Sequence, residues 1–198
     1  MSRGNANWMT TLAVLVAAYI AAALLETVSL IFYNGHPQGQ HLAEYYGWAS
    51  LACLGAVLLA PVAGWPALRS WRRGLGLSAC GFALAHTALI YLHVLGNNWE
   101  GIDFLNTSEQ AAAWLGVAAL ALMLPLALTS ANWWVRQLGR NWRRLHLLVW
   151  PIALLSLGHA LWLGASAWLI KLVAAFGMAL ILWVRRYRRR AFKESADV

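Results

Sequence analysis

A chain of 198 residues that is 61% hydrophobic and only 11% charged does not have the composition of a soluble domain, where charged residues make up about 25%. Its net charge of +8 does not indicate a nucleic-acid binder either. The basic residues sit in short clusters beside long apolar runs, a pattern that reports membrane topology rather than a phosphate-binding stripe. The fold class expected is all-α: an integral membrane six-helix bundle with both termini in the cytoplasm and lipid around it.

The first apolar run extends from Trp8 to Tyr33. It is too long for the core of a cleavable signal and is read as a retained span over 8–33. It carries Glu26 in its outer half, where a carboxyl either pairs with a donor or stays protonated. The bland reading is a helix–helix hydrogen bond; the functional alternative is proton handling beside a quinone. The segment GHPQGQH follows, and His36 and His41 are read there as solvated loop residues rather than metal ligands. Spans two and three are expected over 45–64 and 75–95. Each holds one cysteine, Cys53 and Cys80, with no CxxC pair, so small core residues are expected rather than a disulfide or zinc site. Span three also holds His86 and His93. After an acidic loop with Glu100, Asp103 and Glu109, span four is expected over 110–129. Span five, over 144–163, brings His146 and His159, and span six covers 167–184. Each is near the ~20 residues that cross ~30 Å of hydrocarbon. Residues 185–198 form a basic tail, and the chain reads as a single domain over 1–198.

Orientation follows from the basic residues. Arg3, Arg69, Arg72, Arg73, Arg136, Arg140, Arg143 and Arg144 fall on one side with the tail; of the 15 basic residues only Lys171 falls towards the other. The positive-inside rule makes that side cytoplasmic. Arg143 and Arg144 also lie beside His146, where besides marking topology they can meet an anionic group such as a propionate or a phosphate. Trp65, Trp71, Trp133, Trp134, Trp142, Trp168 and Trp183 fall near span ends and read as interfacial belts.

Histidines inside apolar spans carry the chemistry, because an ionisable group in hydrocarbon is costly. His86 lies 13 residues beyond Arg73 and His159 lies 15 beyond Arg144. At ~1.5 Å per residue both sit roughly 20 Å into spans running the same way. Two depth-matched imidazoles on facing helices can hold one heme between them. His146, only two residues past Arg144, lies near the basic surface. It is 13 residues from His159, about 20 Å of rise and a different face unless Pro151 bends the helix. His146 therefore serves a different site or a second heme. His93 shares a face with His86 near the outer interface and is the weaker ligand candidate. A lone histidine in such a span reads as a helix–helix hydrogen bond; three on two spans point to heme.

The segment RRGLGLSACGFALAHTALIY (Arg72–Tyr91) resembles the third helix of the ferric-reductase-like transmembrane family. The stretch LTSANWWVRQLGRNWRRLHLLVWPIALLSLGHALW (Leu128–Trp162) is similar to the heme-binding membrane subunits of the bacterial protein-methionine-sulfoxide reductase system. The resemblance spans roughly 45–184. It implies a b-type heme protein of the bacterial inner membrane with His86, His146 and His159 as ligands and one heme or two. It implies a periplasmic molybdopterin reductase as acceptor, and a cytoplasmic flavin reductase or the membrane quinol pool as donor. FMN is a further cofactor that it suggests. Larger relatives use four histidines in two pairs, and this chain lacks the regular fourth. No Ser/His/Asp set, Walker loop or GxGxxG helix start is present, so reducing equivalents are expected from elsewhere. The chain is thus read as an electron-transfer subunit rather than a catalytic one. The rival readings are a quinol-linked cytochrome b subunit or a ferric or other metal reductase, and, from another class, a cofactor-free scaffold or transporter.

Overall fold

A computed structural model describes residues 3–33, 36–63, 66–162 and 168–194, and every regular element among them is helical. The order is α1 (Arg3–Phe32), α2 (His36–Ala63), α3 (Pro66–His93), a 3-10 segment (Trp99–Phe104), α4 (Thr107–Leu128), α5 (Asn132–Leu138), α6 (Arg140–Leu145), a 3-10 turn (His146–Leu148), α7 (Val149–Trp162) and α8 (Trp168–Glu194). A helix satisfies its own backbone hydrogen bonds, which hydrocarbon requires.

Among the described residues, five helical stretches are long and apolar enough to cross a membrane: Trp8–Phe32, Gln38–Pro61, Ser70–His93, Thr107–Leu128 and Arg140–Trp162. The sixth expected span begins on residues outside those described and continues in α8, whose shorter apolar part is Ala174–Val184. Helix ends differ from the hydropathy limits. His36 and His41, expected in a loop, lie in the opening turns of α2. Pro37 suits a first turn, because its missing N–H would have no intrahelical partner there. Likewise α8 continues through the basic segment to Glu194. Hydropathy marks where lipid is met, not where helical backbone stops. Residues 195–198 of the expected tail lie outside the described set.

The helix packing positions the site. Helices α2 and α3 run antiparallel: Ser50 Oγ donates to the Ala79 carbonyl at 2.9 Å, and further along Ala43 meets His86. Helices α4 and α7 form a second antiparallel pair, with Trp162 Nε1 donating to Ser108 Oγ at 2.6 Å. Helix α1 runs parallel to α3, with Trp8 under the Arg73 guanidinium at 5.9 Å. Between the pairs, Leu54, Ala79, Cys80, Met123 and Ile152 form a buried cluster drawn from α2, α3, α4 and α7. Leu42, Tyr46 and Phe82 form another towards α1. Cys80 is in the first cluster and Cys53 packs against it; both are free thiols. The exterior is apolar, with Tyr19 77%, Phe32 73% and Leu128 72% exposed. Such faces suit lipid, not water.

Local chemistry sets the ends of α4. Asn106 caps it: its side chain accepts from Glu109 N at 2.9 Å, and the Glu109 carboxylate accepts from Asn106 N at 3.2 Å, a reciprocal capping box. At the other end Thr129 Oγ1 donates to the Pro125 carbonyl at 2.6 Å and Ser130 Oγ to Leu126 O at 2.7 Å. The Leu126 carbonyl, left over at the helix end because Ser130 N turns to Ala127 O, thereby finds a donor.

Candidate cofactor site

His86 projects from α3 and His159 from α7, and their ring centroids lie 5.8 Å apart with planes crossed at 82°. The depth match expected from the sequence is therefore a real juxtaposition, made because the α2–α3 and α4–α7 pairs share one core. Each ring is fixed from behind. His86 Nδ1 lies 2.7 Å from the Ala43 carbonyl on α2, and His159 Nδ1 lies 2.7 Å from the Ala112 carbonyl on α4. A carbonyl has no proton to give, so each Nδ1 is the donor, and the neutral ring keeps its lone pair on Nε2. That is the tautomer that a metal-binding imidazole needs, with the other nitrogen oriented by a backbone acceptor. Two imidazoles on opposite sides of one ion, with bonds of about 2 Å, have centroids roughly 6 Å apart. The observed separation fits a bis-imidazole iron.

His146 lies elsewhere, in the 3-10 turn ahead of α7. Its Nδ1 donates to the Trp142 carbonyl at 3.1 Å, and its ring stacks on the Trp142 indole at 4.0 Å and 28°. It lines a cavity of about 520 Å³ at the basic end of the bundle. Arg72, Arg73, Arg143, Trp142 and Asn132 share that wall, over an apolar floor of Leu54, Met123 and Ile152. Arg73 Nη1 donates to Asn132 Oδ1 at 3.0 Å. Its Nε is buried and has no hydrogen-bond partner among the described residues. Of the two arginines singled out beside His146, Arg143 reaches the cavity wall; Arg144 is exposed and does not line it.

The remaining histidines are placed otherwise. His93 packs against Gly39 of α2, about 10 Å along α3 from His86, and is not part of the His86–His159 pair. His41 stacks on Tyr33 at 3.9 Å. Among the described residues no cluster of three His, Cys, Asp or Glu side chains is close enough to hold an ion without a cofactor. Glu26 accepts from the Tyr46 hydroxyl at 2.7 Å, the helix–helix hydrogen bond expected of it. Of the tryptophans read as interfacial belts, Trp71, Trp133, Trp134 and Trp183 are exposed; Trp65 and the side chain of Trp168 lie outside the described residues. Trp142 is not, because its indole donates to the Thr129 carbonyl at 3.0 Å and packs on His146.

Sequence reading missed the second tier of the site: the Ala43 and Ala112 carbonyls, Trp142 as a ring support, and Arg72 and Arg73 as cavity arginines. A signal existed for Trp142, which lies four residues before His146 and so on the same helical face. Backbone acceptors leave no residue-type signature.

A family model described as ferric reductase like transmembrane component matches residues 46–157. Relatives named protein-methionine-sulfoxide reductase heme-binding subunit MsrQ also match. The one from Xanthomonas campestris pv. campestris strain 8004 is 36% identical over 146 residues, 72% of this chain and 66% of the relative. That from Xanthomonas oryzae pv. oryzae strain MAFF 311018 is 38% identical over 116 residues, 59% and 53% of the two chains. That from Xanthomonas axonopodis pv. citri strain 306 is 42% identical over 96 residues, 48% and 44%. The matched region thus spans 66% or less of each of these relatives.

Proposed function

The chain belongs to the ferric-reductase-like transmembrane family, and from that premise we propose that it is a b-type heme protein of the bacterial inner membrane that carries electrons for a methionine-sulfoxide reductase system. The reading comes from the role for which the relatives are named together with one observation: two imidazoles 5.8 Å apart, each anchored through Nδ1. His86 and His159 are the ligands of the first heme. Heme, when bound, supplies one-electron exchange between its ferric and ferrous states. The chain's own groups do the rest. Ala43 and Ala112 hold the rings in the ligating tautomer, and the apolar helix faces keep water away, which tunes the potential.

The basic-end cavity is the second site in this reading. His146 is its ligand for a second heme, and Arg72, Arg73 and Arg143 hold propionates there. A flavin phosphate such as that of FMN would meet the same arginines. Charge-assisted hydrogen bonds from guanidinium to carboxylate or phosphate suit that task. The basic side faces the cytoplasm, both termini lie there, and α8 completes six spans. Electrons arrive from a cytoplasmic flavin reductase or from membrane quinol and leave to a periplasmic molybdopterin reductase, where the substrate chemistry occurs.

Absorption spectroscopy of the purified chain with a pyridine hemochrome assay tests this reading. Low-spin b-type bands are expected. His86→Ala or His159→Ala removes those of the first site, and His146→Ala lowers the heme-to-protein ratio while keeping them. Full heme retention in both His86→Ala and His159→Ala would overturn the ligand assignment. A colourless chain would return the cofactor-free scaffold.

A further inference from the structure

The two anchored histidines are held by the same local device, used twice. Ala43 and Ala112 are each fully buried, at 0% exposure, and in each case the residue four further along the same helix is a glycine, Gly47 or Gly116. A helical side chain leans back over the turn that precedes its own Cα. The side chain at position i+4 therefore overhangs the carbonyl of residue i. With glycine at i+4 that carbonyl is uncovered, and its second lone pair can take a donor from a neighbouring helix while the first keeps its intrahelical bond.

The fit leaves little room. A Cβ at Gly47 would lie 3.2 Å from His86 Nδ1 and 3.3 Å from its Cε1. A Cβ at Gly116 would lie 2.9 Å from His159 Nδ1 and 3.0 Å from its Cε1. Both are closer than ordinary contact, and the second is the tighter. By contrast, Gly55, also on α2, has nothing within 4 Å of where its Cβ would be.

We propose that Gly47 and Gly116, with the Ala43 and Ala112 carbonyls they uncover, are positioning residues that lock the two imidazoles in crossed planes and so set the electronic state of the heme between them. The inference rests on the heme reading above. The crossing, 82°, has a physical consequence. With heme bound, the π system of each ligating imidazole would mix with one of two iron d orbitals. Crossed rings mix with different orbitals and keep them nearly equal in energy, which makes the ferric low-spin signal strongly anisotropic, with one dominant large g value. Turning one ring towards the other separates the orbitals and gives a rhombic signal. The carbonyl acceptors also make the imidazoles more basic, which favours ferric iron and lowers the midpoint potential.

The experiment is low-temperature electron paramagnetic resonance and redox titration of the full chain in detergent, in a His146→Ala background so that only the first heme is read. Heme content is measured in each sample by pyridine hemochrome. The parent is expected to give the strongly anisotropic signal. Gly116→Ala is expected to convert it to a rhombic one and to raise the potential. Gly47→Ala is expected to do so to a lesser degree, and Gly55→Ala to superimpose on the parent. A rhombic signal in the parent overturns the proposal, as does an unchanged signal and potential in both Gly116→Ala and Gly47→Ala with heme still bound. In either case the heme reading stands, because the ligand variants test it separately. If neither glycine variant assembles, the parent signal decides. A parent without heme overturns both readings together.

Discussion

Tyr46 is 5% exposed and donates its hydroxyl to Glu26 Oε1 at 2.7 Å, tying α1 to α2 across an otherwise apolar seam. Removing the donor leaves a carboxyl at the protein–lipid boundary with one partner fewer. Tyr46→Phe is expected to cost about 1 kcal/mol, seen as a lower thermal midpoint in detergent with the heme bands unchanged. If the bands change instead, Glu26 and Tyr46 act on the cofactor and not only on packing. Arg73 poses the opposite case. Its guanidinium is partly committed to Asn132, and the residue lines the cavity at the basic end. A charge-assisted hydrogen bond is worth ~1.5–3 kcal/mol, so Arg73→Ala is expected to weaken retention of an anionic cofactor there about tenfold or more. Titrating apo-protein with hemin against a His146→Ala control measures it; equal affinity in Arg73→Ala and parent would remove Arg73 from the site.

Three local features show how elements are fixed in place. Gly74 is where α3 meets α1: a Cβ there would lie 2.6 Å from Val14 Cβ and 3.2 Å from the Thr11 carbonyl. The backbone of α3 thus needs glycine to approach α1 this closely. Gly74→Ala forces the pair apart, and overpacking of this kind costs about 1–3 kcal/mol. Cysteine cross-linking between α1 and α3, together with the thermal midpoint, reads the effect; an unaltered cross-linking yield would mean that α1 is not seated there. At the start of α4 the capping box of Asn106 and Glu109 determines where the helix begins. Asn106→Ala is expected to cost about 1 kcal/mol without touching the His159 anchor at Ala112, more than a turn further on. Hydrogen exchange confined to the first turn of α4 checks this. Gly139, at φ 47 between α5 and α6, permits the break between the two helices ahead of His146 and Arg143; a side chain there would be strained.

At the scale of the whole molecule, the five apolar stretches among the described residues enclose a small buried core while many large apolar side chains are exposed. The orientation expected from the arginines predicts that a fluorescent protein fused after Val198 folds and fluoresces inside the cell, whereas a periplasmic phosphatase fused there stays inactive. The reverse pattern would invert the bundle and put the His146 cavity on the outer side. Much of this architecture was legible in the residues. Composition announced lipid as solvent, because only apolar surface is stable against hydrocarbon. Counting from Arg73 and Arg144 placed His86 and His159 at one depth, because helical rise is constant. The family signature lay in the order of residues around His86, His146 and His159. Sequence could not give the distance between the two rings, the carbonyls behind them or the cavity that gathers Arg72, Arg73 and Arg143. Depth along a helix is a one-dimensional quantity set by residue number. Which faces meet, and at what angle, is decided by how α2, α3, α4 and α7 pack, and that packing turns on backbone atoms and on glycines, where the informative group is the one that is missing.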